Sequence, residues 1–196
     1  MALIDYFQPV NKKKFKDLRG WQKSFFKIWD SDVKEETELI CINLPTGCGK
    51  TLAGLEILKK YLKEDNKRCA YIINEYALAD KVLEHAKDLG IPAEIIRSEK
   101  ASNKAKIPRN IRKKNIINYR RGQVIRISSY DFELYHSKIE PPEILVIDDA
   151  DRFIQNLNRI SSVIISRKEC PDFYQEILNK LDPSNYDSFG KEWMFH

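Results

Sequence analysis

The stretch Leu39-Ile-Cys-Ile-Asn-Leu-Pro-Thr-Gly-Cys-Gly-Lys-Thr-Leu52 constrains this chain more than any other. An apolar run enters a short loop holding Gly47 and Gly49, and Lys50-Thr51 open a segment of helical period. Glycine takes left-handed backbone turns at little cost, so successive N–H groups can be aimed at one centre. Leu52, Leu55, Ile57, Leu58, Tyr61 and Leu62 recur at helix spacing, and the N-terminus of that helix adds its positive dipole end. A strand at 38–44, a glycine loop and a helix, in that order, form a cradle for a polyphosphate. Lys50 supplies a mobile cation for the β- and γ-phosphates, and the Thr51 hydroxyl is placed to ligate Mg²⁺. Thr46, Gly47, Cys48, Gly49, Lys50 and Thr51 are therefore the predicted nucleotide-binding set.

Such a site also needs a carboxylate to hold the Mg²⁺ shell, and usually another to orient attacking water. Ile144-Leu-Val-Ile147 is an apolar strand that delivers Asp148, Asp149 and Asp151 at its carboxyl end. Open parallel sheets bind ligands at that end. Further strands are predicted at 69–74, 94–98, 123–128 and 143–148. Leu78, Val82, Ala86 and Leu89 form a helical stripe that Gly90 ends, and a helix is expected over 21–29. The alternation of strands and long helical crossovers predicts an α/β lobe with a mostly parallel central sheet flanked by helices. Residues 1–17 read as an N-terminal segment ahead of a lobe at 18–196.

Charge is unevenly placed. The 196 residues carry a net +5, but residues 97–126 hold eleven Lys or Arg against the single Glu99, or +10, which leaves −5 for the rest. An acidic body with one concentrated basic stretch predicts a surface for a polyanion. Lys113, Lys114, Arg120, Arg121 and Arg126, with the hydroxyls of Ser128 and Ser129, are the candidate phosphate contacts. The four cysteines lack C-x-x-C spacing and read as reduced thiols, and the three histidines are dispersed. No apolar run is long enough to span a membrane and no signal segment opens the chain, so the expected location is cytoplasmic.

Thr46-Gly47-x-Gly49-Lys50-Thr51, with Leu44 where a general phosphate loop has its first glycine, resembles the first motif of superfamily 2 helicases and translocases. Asp148-Asp149-Ala150-Asp151 resembles the D-E-A-D and D-E-A-H boxes of the same superfamily, with Asp149 in place of Glu. Arg19-Gly-Trp-Gln22 resembles the R-x-x-Q element that precedes the loop and reads adenine. The resemblance implies a RecA-like P-loop NTPase lobe that binds ATP and Mg²⁺. It makes Lys50, Asp148 and Asp149 the catalytic set, Thr51 and Asp148 the metal ligands, and Arg19 and Gln22 further nucleotide contacts. It implies nucleic acid as partner, DNA ranked slightly ahead of RNA, and a second RecA-like lobe in cis or in trans. No Ser-Ala-Thr motif and no second lobe are found, so the chain is expected to be a fragment of a longer protein, weakly active alone. The Asp149 carboxylate sits about 1.5 Å short of a glutamate's, a displacement that can cost ~100-fold in rate. The alternatives are a catalytically silent binding module of the same shape, or a P-loop switch that does not act on nucleic acid.

Overall fold

A computed structural model of the chain describes residues 2–33, 39–45, 47–98, 107–135, 139–161, 168, 171–172 and 175–176. Among these residues the regular elements follow one another as α1 (Gly20–Asp32), α2 (Lys50–Asp65), β1 (Cys69–Ile73), α3 (Tyr76–Asp88), β2 (Ala93–Ile95), α4 (Arg109–Arg120), β3 (Ile125–Ser129), α5 (Tyr130–Tyr135), β4 (Ile144–Ile147) and α6 (Ala150–Ser161). A 3₁₀ turn, Leu3–Tyr6, precedes them.

The four strands form one sheet in the order β2-β3-β1-β4, and every pairing is parallel. β1 is the middle of the site's architecture: Tyr71 lies opposite Ile127 of β3 on one side and Val146 of β4 on the other. A strand paired on both edges and covered on both faces must be apolar throughout, and all five β1 residues are buried. Alternation sends Cys69, Tyr71 and Ile73 into the core with α1, α2 and α3. Ala70 and Ile72 face the other way, against Tyr130, Ile147 and Phe153. The expected α/β lobe with a parallel sheet is what the structure shows.

α2 is the most buried helix. Its register puts Leu52, Leu55, Leu58 and Leu62 inside, and it also buries Glu56 and Lys59. Lys59 reaches the carbonyl of Tyr6 at 2.6 Å and Glu56 Oε1 at 3.4 Å, which fastens the N-terminal turn to the helix. Residues 2–17 therefore pack into the same compact unit, Met1–Asn156, as the sheet. A second unit covers Leu157–His196, of which the described part is the end of α6 and a few isolated residues.

One predicted strand is not formed. Residues 39–44 have no regular secondary structure, and Leu39, Ile40 and Ile42 are exposed, Leu39 to 81%. A strand is held by ladder hydrogen bonds to a neighbour, and among the described residues no strand pairs with this segment. Glu38, and Thr46 in the loop, lie outside the described residues.

Candidate nucleotide site

The loop turns twice through left-handed backbone, at Gly47 (φ 79°) and Gly49 (φ 88°), and Lys50 then starts α2. Three consecutive loop carbonyls are held from one side by the start of α1. The Arg19 guanidinium donates to the Gly47 carbonyl at 2.6 Å, the Trp21 indole N–H to Cys48 at 3.0 Å, and the Gln22 amide to Gly49 at 3.1 Å. Holding these carbonyls fixes the peptide planes of the loop and so the direction of its N–H groups. Gln22 is 2% exposed, and its Oε1 accepts the Arg19 N–H at 2.8 Å. Both ends of its amide are thus engaged by the protein. The resemblance gives Gln22 to the adenine; in the structure Gln22 and Arg19 shape the loop. Sequence reasoning does not single out Trp21, and the signal for it is its place in the first turn of α1 between Arg19 and Gln22.

Lys50 donates to the carbonyl of Leu44 at 3.1 Å and so spans the base of the loop. Asp148 extends the β4 ladder, its N–H donating to the Ile72 carbonyl at 2.9 Å. Lys50 is close enough to Asp148 to favour its ionised form. Tyr71 of β1 lies near Asp148: burial first, and then the Asp148 charge, raise its hydroxyl above its ordinary value. Lys50 of the loop and Asp148, 98 positions apart in sequence, thus lie within electrostatic reach of one another. Burial pushes the Asp148 carboxyl above its ordinary value and the neighbouring Asp149 pushes it further, against the pull of Tyr71 and Lys50.

Asp149 is exposed and takes a left-handed backbone (φ 52°), rare for a residue with a side chain. Tyr130 secures that turn: its hydroxyl donates to the carbonyls of Asp148 and Asp149, the latter at 2.8 Å, while Phe153 packs edge-on against its ring at 5.1 Å. The Asp149 carbonyl in turn accepts the N–H groups of Arg152 and Phe153, which starts α6.

The donors present fit Mg²⁺ better than a cation caged by the protein alone. Mg²⁺ keeps several waters and is bound through one or two carboxylates together with substrate phosphates. Here the Thr51 hydroxyl follows the glycine loop and the Asp148 carboxylate follows β4. Among the described residues no group of three or more His, Cys, Asp or Glu could hold a metal by itself.

The basic stretch divides in two. On α4, Lys113, Lys114, Arg120 and Arg121, which follows its last turn, are exposed, and Arg120 is paired with Glu140. Arg126, Ser128 and Ser129 correct the expectation placed on them, because all three are buried, to 1%, 0% and 4% exposure. The Arg126 guanidinium pairs with Glu133 at 2.7 Å, between the rings of Tyr119 and Phe132, and Ser128 donates to the same carboxylate at 2.7 Å. A charge this enclosed meets no phosphate. Strand pattern alone misplaced them, since an Arg inside an apolar strand reads equally as a buried pair whose partner lies seven residues on.

A parallel sheet with a glycine loop leading into a helix, and an aspartate at the end of a neighbouring strand, defines a P-loop nucleotide-binding lobe. The model of the family described as type III restriction enzyme, res subunit, matches residues 15–186, and the chain belongs to that family. The family's matched domain is a superfamily 2 helicase-like, RecA-fold ATP-binding domain. A search of curated proteins returned no match. No helix among the described residues is long and apolar enough to cross a membrane, and Cys41, Cys48 and Cys69 are free thiols.

Proposed function

We propose that this chain is the ATP-binding first lobe of a nucleic-acid helicase or translocase, in which binding and hydrolysis of ATP·Mg²⁺ are coupled to movement on DNA. The observation that carries the reading is that Lys50, which follows the glycine loop, lies near enough to Asp148 at the end of β4 to favour its ionised form, while Arg19, Trp21 and Gln22 hold three carbonyls of that loop. In this reading Lys50 leaves the Leu44 carbonyl for the β- and γ-phosphates. Thr51 and Asp148 hold the Mg²⁺, which would neutralise charge on the transferring phosphoryl group. Asp149 orients the attacking water, and its shorter side chain makes hydrolysis slow. A second RecA-like lobe, in cis or in trans, completes the site. The exposed Lys113, Lys114 and Arg121 neutralise nucleic-acid phosphates, and the family's description as a restriction-enzyme subunit favours DNA over RNA.

The test is titration of a fluorescent ATP analogue with Mg²⁺ into wild type and Lys50→Ala. Loss of a buried charge-assisted contact of this kind costs at least about 2 kcal/mol, or ~30-fold in affinity. Equal binding by the two proteins overturns the nucleotide site. A DNA titration over a range of salt tests the partner: neutralising Lys113, Lys114 and Arg121 together should lower the log–log salt slope by up to about 3. A slope identical to wild type removes α4 from the interface.

A further inference from the structure

Strands β3 and β4 are not neighbours, because β1 runs between them. The register sets Ser129 beside Ile73 and Ile147 beside Ile72, so both strands end level with the end of β1. Tyr130 is the first residue after β3, and its ring packs with Ala70 and Ile72 on one face of β1 and with Ile147 and Phe153 beyond it. The Phe153 ring stands edge-on to it at 5.1 Å, and the tyrosine is 1% exposed. A ring enclosed in this way carries its hydroxyl to one place. That hydroxyl donates to the carbonyls of Asp148 and Asp149, the latter at 2.8 Å, and so ties the end of β3 to the end of β4 across the strand between them. Burial, and then the charges of Asp149 and Asp148, push the hydroxyl above its ordinary value, so it keeps the proton it donates.

The two carbonyls belong to a sharp turn. Asp148 is still on the sheet, through its N–H to the Ile72 carbonyl, and α6 already starts on the Asp149 carbonyl, which accepts from Arg152 and Phe153. Between ladder and helix the chain changes course within one residue, and Asp149 does so at φ 52°. The phosphate loop makes its left-handed turns with Gly47 and Gly49, which have no Cβ to resist them. Here the turn is made by a residue whose side chain is needed. With β4 fixed before it, the φ of Asp149 decides the direction in which its Cβ, and so its carboxylate, leaves the strand end.

We propose that Tyr130 is the positioning residue for Asp149: its phenol, anchored on β3, holds the left-handed turn that aims the Asp149 carboxylate at the water it orients. This rests on the nucleotide-site reading above and adds to it a residue that acts through Asp149 and touches neither nucleotide nor metal.

Tyr130→Phe keeps the ring against Phe153 and removes only the hydroxyl. Single-turnover hydrolysis of ATP with Mg²⁺ and DNA, at rising excess of protein, separates the rate constant at saturation from the half-saturating concentration. A thermal melt and, on isotope-labelled protein, the intraresidue HN–Hα Overhauser effect of Asp149 complete the comparison; that effect is strong only at positive φ. Misplacing a reacting group by about 1 Å costs ~100-fold in rate. The expected result is a saturated rate constant lower by up to that factor, with the half-saturating concentration unchanged and the Asp149 signal weakened. A structural role alone would lower the melt and leave the saturated rate of the folded protein in place, and that result overturns the proposal. So does a fall in rate with the Asp149 signal unchanged. If wild type hydrolyses no ATP, the reading of Asp149 as the water-orienting residue falls and the inference with it; if both proteins hydrolyse at one rate, only the inference falls. Should Tyr130→Phe not fold, wild type decides by NMR. The Tyr130 hydroxyl proton should give an exchange-protected resonance that persists, with the strong Asp149 signal, on adding Mg²⁺ and the ATP analogue, and loss of either overturns the proposal.

Discussion

Strands β3 and β4 lie on either side of β1 and carry charge in opposite conditions. Arg126 of β3 is enclosed, paired with Glu133 and stacked on two rings, and Ser128 finishes the same carboxylate. Asp148, at the end of β4, has a phenol and a lysine for company but also a second aspartate, and its carboxyl is held above the usual range. The charge on β3 is closed by its partner, and the charge at the end of β4 is left short of a positive neighbour. A buried charge that has its partner is a part of the core, whereas one that lacks its counter-charge is a place for a ligand.

Opening the closed end should give the largest effect. Glu133→Ala leaves the Arg126 guanidinium buried without its carboxylate, and breaking a buried pair from one side costs about 3–5 kcal/mol. Chemical denaturation should show a loss of that order, while nucleotide affinity of the folded fraction stays as in wild type. A variant that lost nucleotide binding but kept its stability would invert the assignment of the two strand ends.

Gly54→Ala is the next in size and tests how the open end is built. Helix propensity alone predicts a gain of about 1 kcal/mol from replacing a mid-helix glycine. The added methyl would press on Val146 and on the Tyr71 ring at 2.9 and 3.1 Å, and both are held by packing. Overpacking of this kind costs about 1–3 kcal/mol, so a net loss of about 1 kcal/mol is expected. The helix that carries Lys50 and Thr51 is also pushed from the strand that carries Asp148, so the Mg²⁺-dependent part of nucleotide affinity should fall. A melt unchanged or raised would show that α2 has room to spare.

What sequence reveals about these ends follows from how local each feature is. The glycine loop, its lysine and threonine, and the aspartates after Ile144–Ile147 lie in short contiguous motifs, so their chemistry is legible one residue at a time. Helix α3 and its stop at Gly90 (φ 69°) were legible for the same reason. The environment of Arg126 depends on Tyr119, Phe132 and Glu133, side chains on two other elements, and no spacing rule joins them. The segment at 39–44 has the apolar composition of a strand, but composition does not supply a neighbour, and without a pairing partner among the described residues it remains irregular and exposed.

The smallest effect is the sharpest on the comparison, because its sign is opposite to that at β3. The folded state raises the Asp148 carboxyl above its unfolded value, so the ionised form is disfavoured in the native protein. Its contribution favours folding below the ordinary carboxylate range and is lost as pH rises through the raised value. At pH 7 the ligand-free Asp148→Asn protein should therefore be more stable than wild type. The gap should close toward about pH 3, where wild type is also neutral at this position. Adding Mg²⁺ and nucleotide should reverse the order. Ligand stabilises whichever protein binds it, by about 2.7 kcal/mol at a hundred times Kd, and only wild type retains the carboxylate that draws the cation. Melts at pH 7 with and without Mg²⁺·ATP read both halves. If the variant is less stable than wild type without ligand, Asp148 is a satisfied core charge like Arg126, and the contrast between the two strand ends is lost.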